Sequence, residues 1–424
     1  MRRKLTLLCF QWGLVLGSAH AELPHHTLLS SDGLMPLSLR QAEELFLANN
    51  RELQLARSSL SGVVADSVKA TKRPNPNLSI NAVNIGSSEG DQHLDTVVRV
   101  DQMFERGSKR ELRSNAAQFG VEASRSDLKE IERQQHIALY AAYYDLLLAQ
   151  EKELIGADTA MLAQKTMDAA ALREKAGDIA STELARISVD ALRAQNDARQ
   201  AKADREKAQL ALALIIGTQS ETQKIYASDP WPEVELPAPT QSADVLIAQR
   251  ADVKAAQARM QAAEQNRNLA RAMRTRDVTV GVQYEHFPGD HSNNTVGIGV
   301  SIPLFINNYF QGEIGRAESD LTTAQLNLQK VRAQVLNEIA KSRAELEAAA
   351  ERVKRFHGLL LEQARKAADG AEFAYAHGAM GLIDLLDARR TLFAVRIEAA
   401  TAQADYAKAL AAWLAATEWK TDTP

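Results

Sequence analysis

The chain has 424 residues, 45% of them hydrophobic but only 5% aromatic, and a formal net charge of -4. That length suffices for two or three ordinary domains, and few aromatics with abundant alanine favour thin helical layers over a thick globular core. The near-neutral balance excludes neither membrane nor protein partners but gives no electrostatic reason to expect nucleic acid.

The first residues predict a secretory signal over 1–21. Arg2, Arg3 and Lys4 form a basic start, Leu5–Leu16 an apolar stretch, and Ala19-His20-Ala21 a cleavage site, so the mature chain is expected to begin at Glu22. The apolar stretch is too short to cross a bilayer, which takes about 20 residues. The one cysteine, Cys9, lies inside it. The mature protein is therefore expected to hold no disulfide, no thiolate metal site and no lipid-anchored cysteine. Past residue 21 no apolar run has the length of a membrane helix. If the mature chain enters a membrane, a closed β-barrel is the structure left to it.

Residues 22–36, with His25 and His26, read as a loose lead-in. A helix begins at Ser38, which forms a capping box with Gln41 and is stapled by Leu37. It is expected to reach about Arg73, with an irregularity at Asn49-Asn50, and to stop at Pro74 and Pro76. A hairpin follows over 78–104. Leu78, Ile80 and Ala82 alternate with polar residues, as do Val98 and Val100 after the loop Ser87–His93. Gly107-Ser108-Lys109-Arg110 opens a helix to about Lys175. Gly177–Ala180 is a turn, and a return helix spans Ser181–Ile216 with Gly217 as its cap. Pro230, Pro232, Pro237 and Pro239 mark 218–241 as a linker or irregular belt.

The pattern then starts again. A helix is expected over 242–276 and a hairpin over 278–303. Val278, Val280, Val282 and Tyr284 share one face of its first strand, and Val296, Ile298, Val300 and Ile302 one face of its second. A long helix from Gly312 carries a heptad seam with one stutter: Leu321, Leu328 and Val335, then Ile339, Leu346, Val353, Phe356 and Leu360. No proline falls between Leu304 and Thr423, so no kink is expected. A turn at 378–381 and a return helix to Trp413 complete the pattern, and 418–424 form a tail.

The chain thus reads as an internal duplication with an offset of about 200 residues. The first repeat is 22–217, the linker 218–241 and the second repeat 242–417. Each repeat is helix, hairpin, long helix, tight turn, short helix. Each long helix spans roughly 100 Å at 1.5 Å per residue. The fold class is mainly α with a small β part. Four amphipathic strands cannot close alone, since membrane barrels start at about eight. Closure then needs copies of the chain, eight strands in a dimer or twelve in a trimer. The competing reading is a periplasmic coiled-coil structural or adaptor protein whose hairpins form a water-soluble module.

On these residues the chain resembles the TolC-type outer-membrane channels of tripartite efflux and type I secretion systems. The likeness rests on the tandem repeats, the strand-to-helix corner Val300-Ser301-Ile302-Pro303-Leu304-Phe305 and the tip Gly378–Ala388. Arg250-Ala251-Asp252-Val253 matches a family motif apart from its missing proline. Pro74-Asn75-Pro76-Asn77-Leu78, the stretch Gln102–Arg110 and Asn307–Ile314 resemble the cobalt-zinc-cadmium efflux branch. The resemblance implies a homotrimer with a twelve-stranded barrel in outer-membrane lipid and long α-helical coiled coils reaching into the periplasm. It implies a periplasmic adaptor and an inner-membrane resistance-nodulation-division pump as partners, and heavy-metal cations as cargo. Drug efflux and protein secretion stay open.

Asp384 and Asp387, three apart on one helix flank, read from the residues alone as a solvated acidic face. The resemblance instead implies that they ring the periplasmic gate, where carboxylates gathered on the axis would attract cations. Thr182 and Glu183 hold the matching place in the first repeat. The family's tip arginine falls on Met380, so a salt-bridge lock of that kind is not expected. By resemblance Gly177, Gly378 and Gly381 mark the adaptor-contact tips. His93 with Asp91, and His286 with Asp290 and His291, are expected in polar barrel loops rather than as metal ligands. His136, His357 and His377 are expected as surface or seam residues, and Tyr140, Tyr143 and Tyr144 as packing. The sequence holds no P-loop, H-E-x-x-H or G-x-S-x-G, and Gly297-x-Gly299 lacks a third glycine. No catalysis and no cofactor are expected.

Overall fold

The computed structural model describes residues 35–83, 94–218, 225–239, 241–287 and 293–417. The signal segment, His25 and His26, Asp91, His93, Asp290, His291 and the tail lie outside the described residues. The element order is β1 (Met35–Leu37), α1 (Leu39–Asn49), α2 (Arg51–Thr71), β2 (Asn77–Val83), β3 (Asp95–Phe104), α3 (Lys109–Lys175), α4 (Ser181–Ile216), β4 (Ile225–Ala227), α5 (Ala243–Gln249), α6 (Ala251–Ala272), β5 (Val278–Phe287), β6 (Asn293–Ser301), α7 (Gln311–Arg355), a π-turn (Phe356–Leu360), α8 (Leu361–Ala376) and α9 (Leu382–Thr417).

The start of α1 follows from its cap. Ser38 Oγ accepts from Gln41 N at 3.2 Å and Ser38 N donates back to Gln41 Oε1 at 3.0 Å. At Asn50 the backbone leaves the helical region (ψ 126°), and its side chain caps α2 by accepting from Leu53 N at 2.9 Å. The second repeat breaks at the matching place, Arg250 (ψ 137°), where a single helix was expected. Arg250 makes no side-chain cap. Its guanidinium is buried and pairs with Glu338 on α7 at 2.9 Å and with Asp252 at 3.0 Å. Arg133 on α3 joins the same Glu338 at 2.9 Å. The break therefore lets one arginine tie α3, α6 and α7 together, with each buried charge compensated by a partner.

Helix α3 has 67 residues, hence roughly 100 Å of rod. It packs against α2, α4, α6 and α9, while α7 packs against α6 and α9. The outward arm of the second repeat departs from the expected continuous helix at the π-turn Phe356–Leu360. The buried seam runs Leu346, Ala350, Val353, Phe356, then Ala364, Ala368 and Ala371. A plain α-helix would carry its apolar stripe off the interface across that gap, and one widened turn absorbs the extra residue. Leu360, expected in the seam, is 45% exposed as a result.

Two short strands were not expected. β1 and β4 pair in parallel, Met35 with Ile225 and Leu37 with Ala227, inside segments that read as lead-in and linker. Gln150 on α3 holds this belt by donating to Ala227 O at 3.0 Å and accepting from Ala227 N at 2.8 Å. Tyr143 donates to Leu37 O at 3.0 Å and accepts from Asp229 N at 3.1 Å. Burial pushes its phenol up to about 12. Leu139, Leu146, Phe46, Leu212 and Ile216 pack around these groups as the largest apolar cluster.

The strands β2-β3-β5-β6 form one antiparallel sheet in that order. The corners that hang the rods from it are pinned by polar contacts. Lys109, buried at the start of α3, donates to Thr275 O at 2.7 Å and Asp277 Oδ1 at 2.9 Å, joining the two repeats. Each long helix follows a left-handed residue, Ser108 (φ 57°) and Phe310 (φ 62°). A bulky Phe rarely adopts that conformation. Here Asn308 Oδ1 accepts from Phe310 N at 2.9 Å and the Phe305 ring meets Phe310 edge-on at 5.0 Å.

Candidate functional site: a two-faced sheet and a tip

The register sorts the sheet into two faces. Leu78, Val100, Val282 and Ile298 form one row across all strands, and Ile80, Val98, Tyr284 and Val296 the next. Most of these residues lie open: Leu78 is 65% exposed, Ile80 66%, Val296 74% and Ile298 79%. The rows between them read Ser79, Arg99, Gln283, Gly297 and Asn77, Asp101, Gly281, Gly299. One face is thus apolar and the other polar, with period two. The outer edges of β2 and β6 pair with no strand among the described residues. An apolar face this large is unfavourable in water, and open edges are intolerable in lipid.

The other end of the rods carries two turns of the same build. Gly177 (φ 83°) and Gly378 (φ 73°) are left-handed, with space around the missing Cβ, so conformation rather than crowding calls for glycine. Gly177 N donates to Glu174 O and Asp178 N to Arg173 O; Gly378 N donates to Tyr375 O and Ala379 N to Ala374 O. Gly381 starts α9 in open space apart from Asp384, whose Oδ2 lies 3.5 Å from where a Cβ would sit.

Residues 243–417 match the model of the family described as "Outer membrane efflux protein". Over those residues the chain is similar to that family. It is 25% identical over 376 residues to the cobalt-zinc-cadmium resistance protein CzcC of Cupriavidus metallidurans, covering 85% of each chain. It is 25% identical over 334 residues to the pyoverdine export outer membrane protein OpmQ of Pseudomonas putida, covering 75% of this chain and 69% of that one. The fold matches the crystal structure of CusC, at a TM-score of 0.77 with 17% identity, over 91% of this chain and 92% of CusC. The fold class read from the sequence, a mainly helical TolC-like protomer with a small β part, is that of these outer-membrane channels. The chain is an outer-membrane protein similar to that family over residues 243–417.

The structure places the candidate tip residues as follows. Asp384 and Asp387 are exposed on α9, and neither makes an ion pair among the described residues. Between them Leu385 and Leu386 turn inward, and Leu382 and Leu386 pack with Ala170 and Ile187 of the first repeat. Thr182 is exposed and Glu183 half-buried. Glu183 Oε1 accepts from the Tyr375 hydroxyl at 3.3 Å, so the two tips meet through it. Burial, with the Glu183 carboxylate adding to it, holds the Tyr375 phenol above its ordinary value, and Arg173 above the ring opposes this.

Met380 is half-buried and supplies no charge. Other groups join the repeats instead. Arg390 on α9 pairs with Asp190 on α4 at 2.7 Å, Arg389 donates to Thr166 Oγ1 at 2.8 Å, and Lys408 pairs with Asp145 at 2.8 Å. Sequence reasoning missed Tyr375, Arg389, Arg390 and Asp190. The signal was there only in part: Arg389-Arg390 follows the aspartates directly, but its partners lie in the other repeat. His136 is a seam residue, edge-on to Phe46 at 4.8 Å, and burial lowers it to about 4. His286 sits near the loop end of β5, where Nδ1 lies 2.7 Å from Asn294 Oδ1. No cluster of His, Cys, Asp and Glu suited to a metal occurs among the described residues.

Proposed function

We propose that the chain is one protomer of a homotrimeric exit duct that carries heavy-metal cations from a periplasmic adaptor and an inner-membrane resistance-nodulation-division pump across the outer membrane. The observation that carries it is the open-edged sheet, apolar on one face and polar on the other, set at the head of rods roughly 100 Å long. Three such sheets give a twelve-stranded barrel whose edges are all paired, with lipid outside and water inside. The domain plan of the duct is the one read from sequence: signal peptide 1–21, repeats 22–217 and 242–417 about an equatorial segment 218–241.

The duct is passive, and the family it resembles over residues 243–417 is described as one of outer-membrane efflux proteins. Metal cargo is supported by the likeness to CzcC over 85% of both chains. The likeness to OpmQ favours a second cargo class, an exported small organic molecule. In the trimer Asp384 and Asp387, with Thr182 and Glu183, surround the periplasmic gate, and Gly177, Gly378 and Gly381 lie where the adaptor docks. Deleting the gene and scoring growth on cobalt, zinc and cadmium beside organic toxicants tests the cargo. Sensitivity to the metals alone is expected, and sensitivity to organic compounds alone would overturn the metal reading.

A further inference from the structure

One arrangement on the polar face is not needed to close a barrel. Arg99 is the only Lys or Arg in β2, β3, β5 and β6, and it lies on that face. Its Nε donates to Asp101 Oδ2 at 2.8 Å and its Nη1 to Gln283 Oε1 at 3.1 Å. Gln283 Nε2 donates on to Glu285 Oε1 at 3.2 Å, and Thr295 Oγ1 to Glu285 Oε2 at 3.3 Å. The chain of contacts crosses β3, β5 and β6.

Glycines floor it. A Cβ at Gly281 would collide with Asp101 Oδ1 and lie 2.7 Å from Arg99 Nη2. At Gly299 it would lie 3.2 Å from Arg99 Nη2, and at Gly297 3.0 Å from Gln283 Cγ. The bare backbone lets the guanidinium lie along the wall instead of standing off it. The face also holds the carboxylates of Asp101 and Glu285. Acid exceeds base there, and a confined aqueous wall of one sign concentrates counter-ions.

We propose that Arg99 sets the ion preference of the barrel lumen. Held flat over the glycines by Asp101 and Gln283, it offsets part of the acidic wall without narrowing the passage, so cationic cargo passes without being retained. This rests on the channel reading above, and the test separates the two. Ser79 lies opposite Arg99 on the same face, and Leu78 on the apolar face. In a Cys9→Ser background, Ser79→Cys and Leu78→Cys are reacted in outer membranes with cationic and anionic water-soluble methanethiosulfonates.

Ser79→Cys is expected to react and Leu78→Cys to be shielded by lipid; equal reaction of both would sink the channel reading itself. With that contrast present, adding Arg99→Gln is expected to raise the cationic-to-anionic rate ratio at Ser79→Cys several-fold, and Arg99→Lys to leave it unchanged. If Arg99→Gln prevents assembly, Arg99→Lys is compared with Arg99→Gln/Asp101→Asn, which keeps the wall's net charge. The same ratio is then expected in both, whereas adding Asp101→Asn alone lowers it. A ratio that ignores these charges, in a protein that passes the Leu78 contrast, overturns the role of Arg99.

Discussion

The equator and the tip of the rods are built from the same helices but held differently. At the equator the large side chains are fully enclosed: Trp413, Tyr143, Tyr406, Phe46, Leu139 and Leu146 are among the largest buried groups. Tyr406 accepts from Glu235 N at 2.7 Å, so even the proline-rich crossing is fastened to α9. At the tip the core shrinks to Ala170, Ile187, Leu382 and Leu386, while Leu172, Phe373 and Ile383 lie open. The polar cross-repeat ties there include Tyr375 to Glu183, Arg389 to Thr166 and the Arg390–Asp190 ion pair. On that contrast, local opening is expected at the thinly packed end before the equator.

The sharpest way to break the equator is to empty it. Trp413→Ala is expected to cost about 3–5 kcal/mol, read by denaturant unfolding. A smaller loss there would mean that the equatorial cluster is not the main anchor. His136 probes the same region through pH. Its folded-state value near 4 lies below the ordinary 6.5 because burial disfavours the charged ring. Above about pH 6.5 both states are neutral; between 6.5 and 4 only the unfolded chain takes up the proton. Stability should therefore fall as pH drops through that window, by about 3 kcal/mol, and His136→Gln should remove that part of the acid sensitivity. Tyr143→Phe deletes the hydroxyl shared by Leu37 and Asp229 and should cost about 1 kcal/mol.

The tip should respond in the opposite manner. Tyr375→Phe removes its bond to Glu183 and should change global stability by less than about 1 kcal/mol. Amide exchange around residues 170–190 should nonetheless quicken while the equator stays protected. Uniform exchange in both regions would erase the distinction. Arg390→Gln should have the smallest effect on stability, a few tenths of a kcal/mol, since its side chain is more than half exposed.

Much of this was legible in the chain. Period-two alternation fixed which residues share a face of the sheet, because side chains on a strand have only two directions to take. Ser38 with Gln41, Gly177, Gly217 and Gly378 marked helix ends through local chemistry that needs no distant partner. The misses are non-local. Strands as short as Met35–Leu37 and Ile225–Ala227 exist because Gln150 and Tyr143, far along the chain, satisfy their backbone. The break at Arg250 depends on Glu338, and the π-turn on the phase of the facing helix. Gly281, Gly297 and Gly299 matter through Arg99 and Gln283, which lie over them from other strands. At the tip the aspartates were visible, but Tyr375 and Arg390 matter only through partners in the other repeat.

The central claim is that the open sheet edges close on copies of the same chain. Cysteine pairs with one partner on β2 and one on β6, such as Asn81→Cys with Thr295→Cys and neighbouring registers, can be oxidised in outer membranes. A ladder of cross-linked bands that ends at three chains is expected for at least one register. A chain that links β2 to β6 only within itself, or a ladder that ends at another number, would contradict the trimeric barrel.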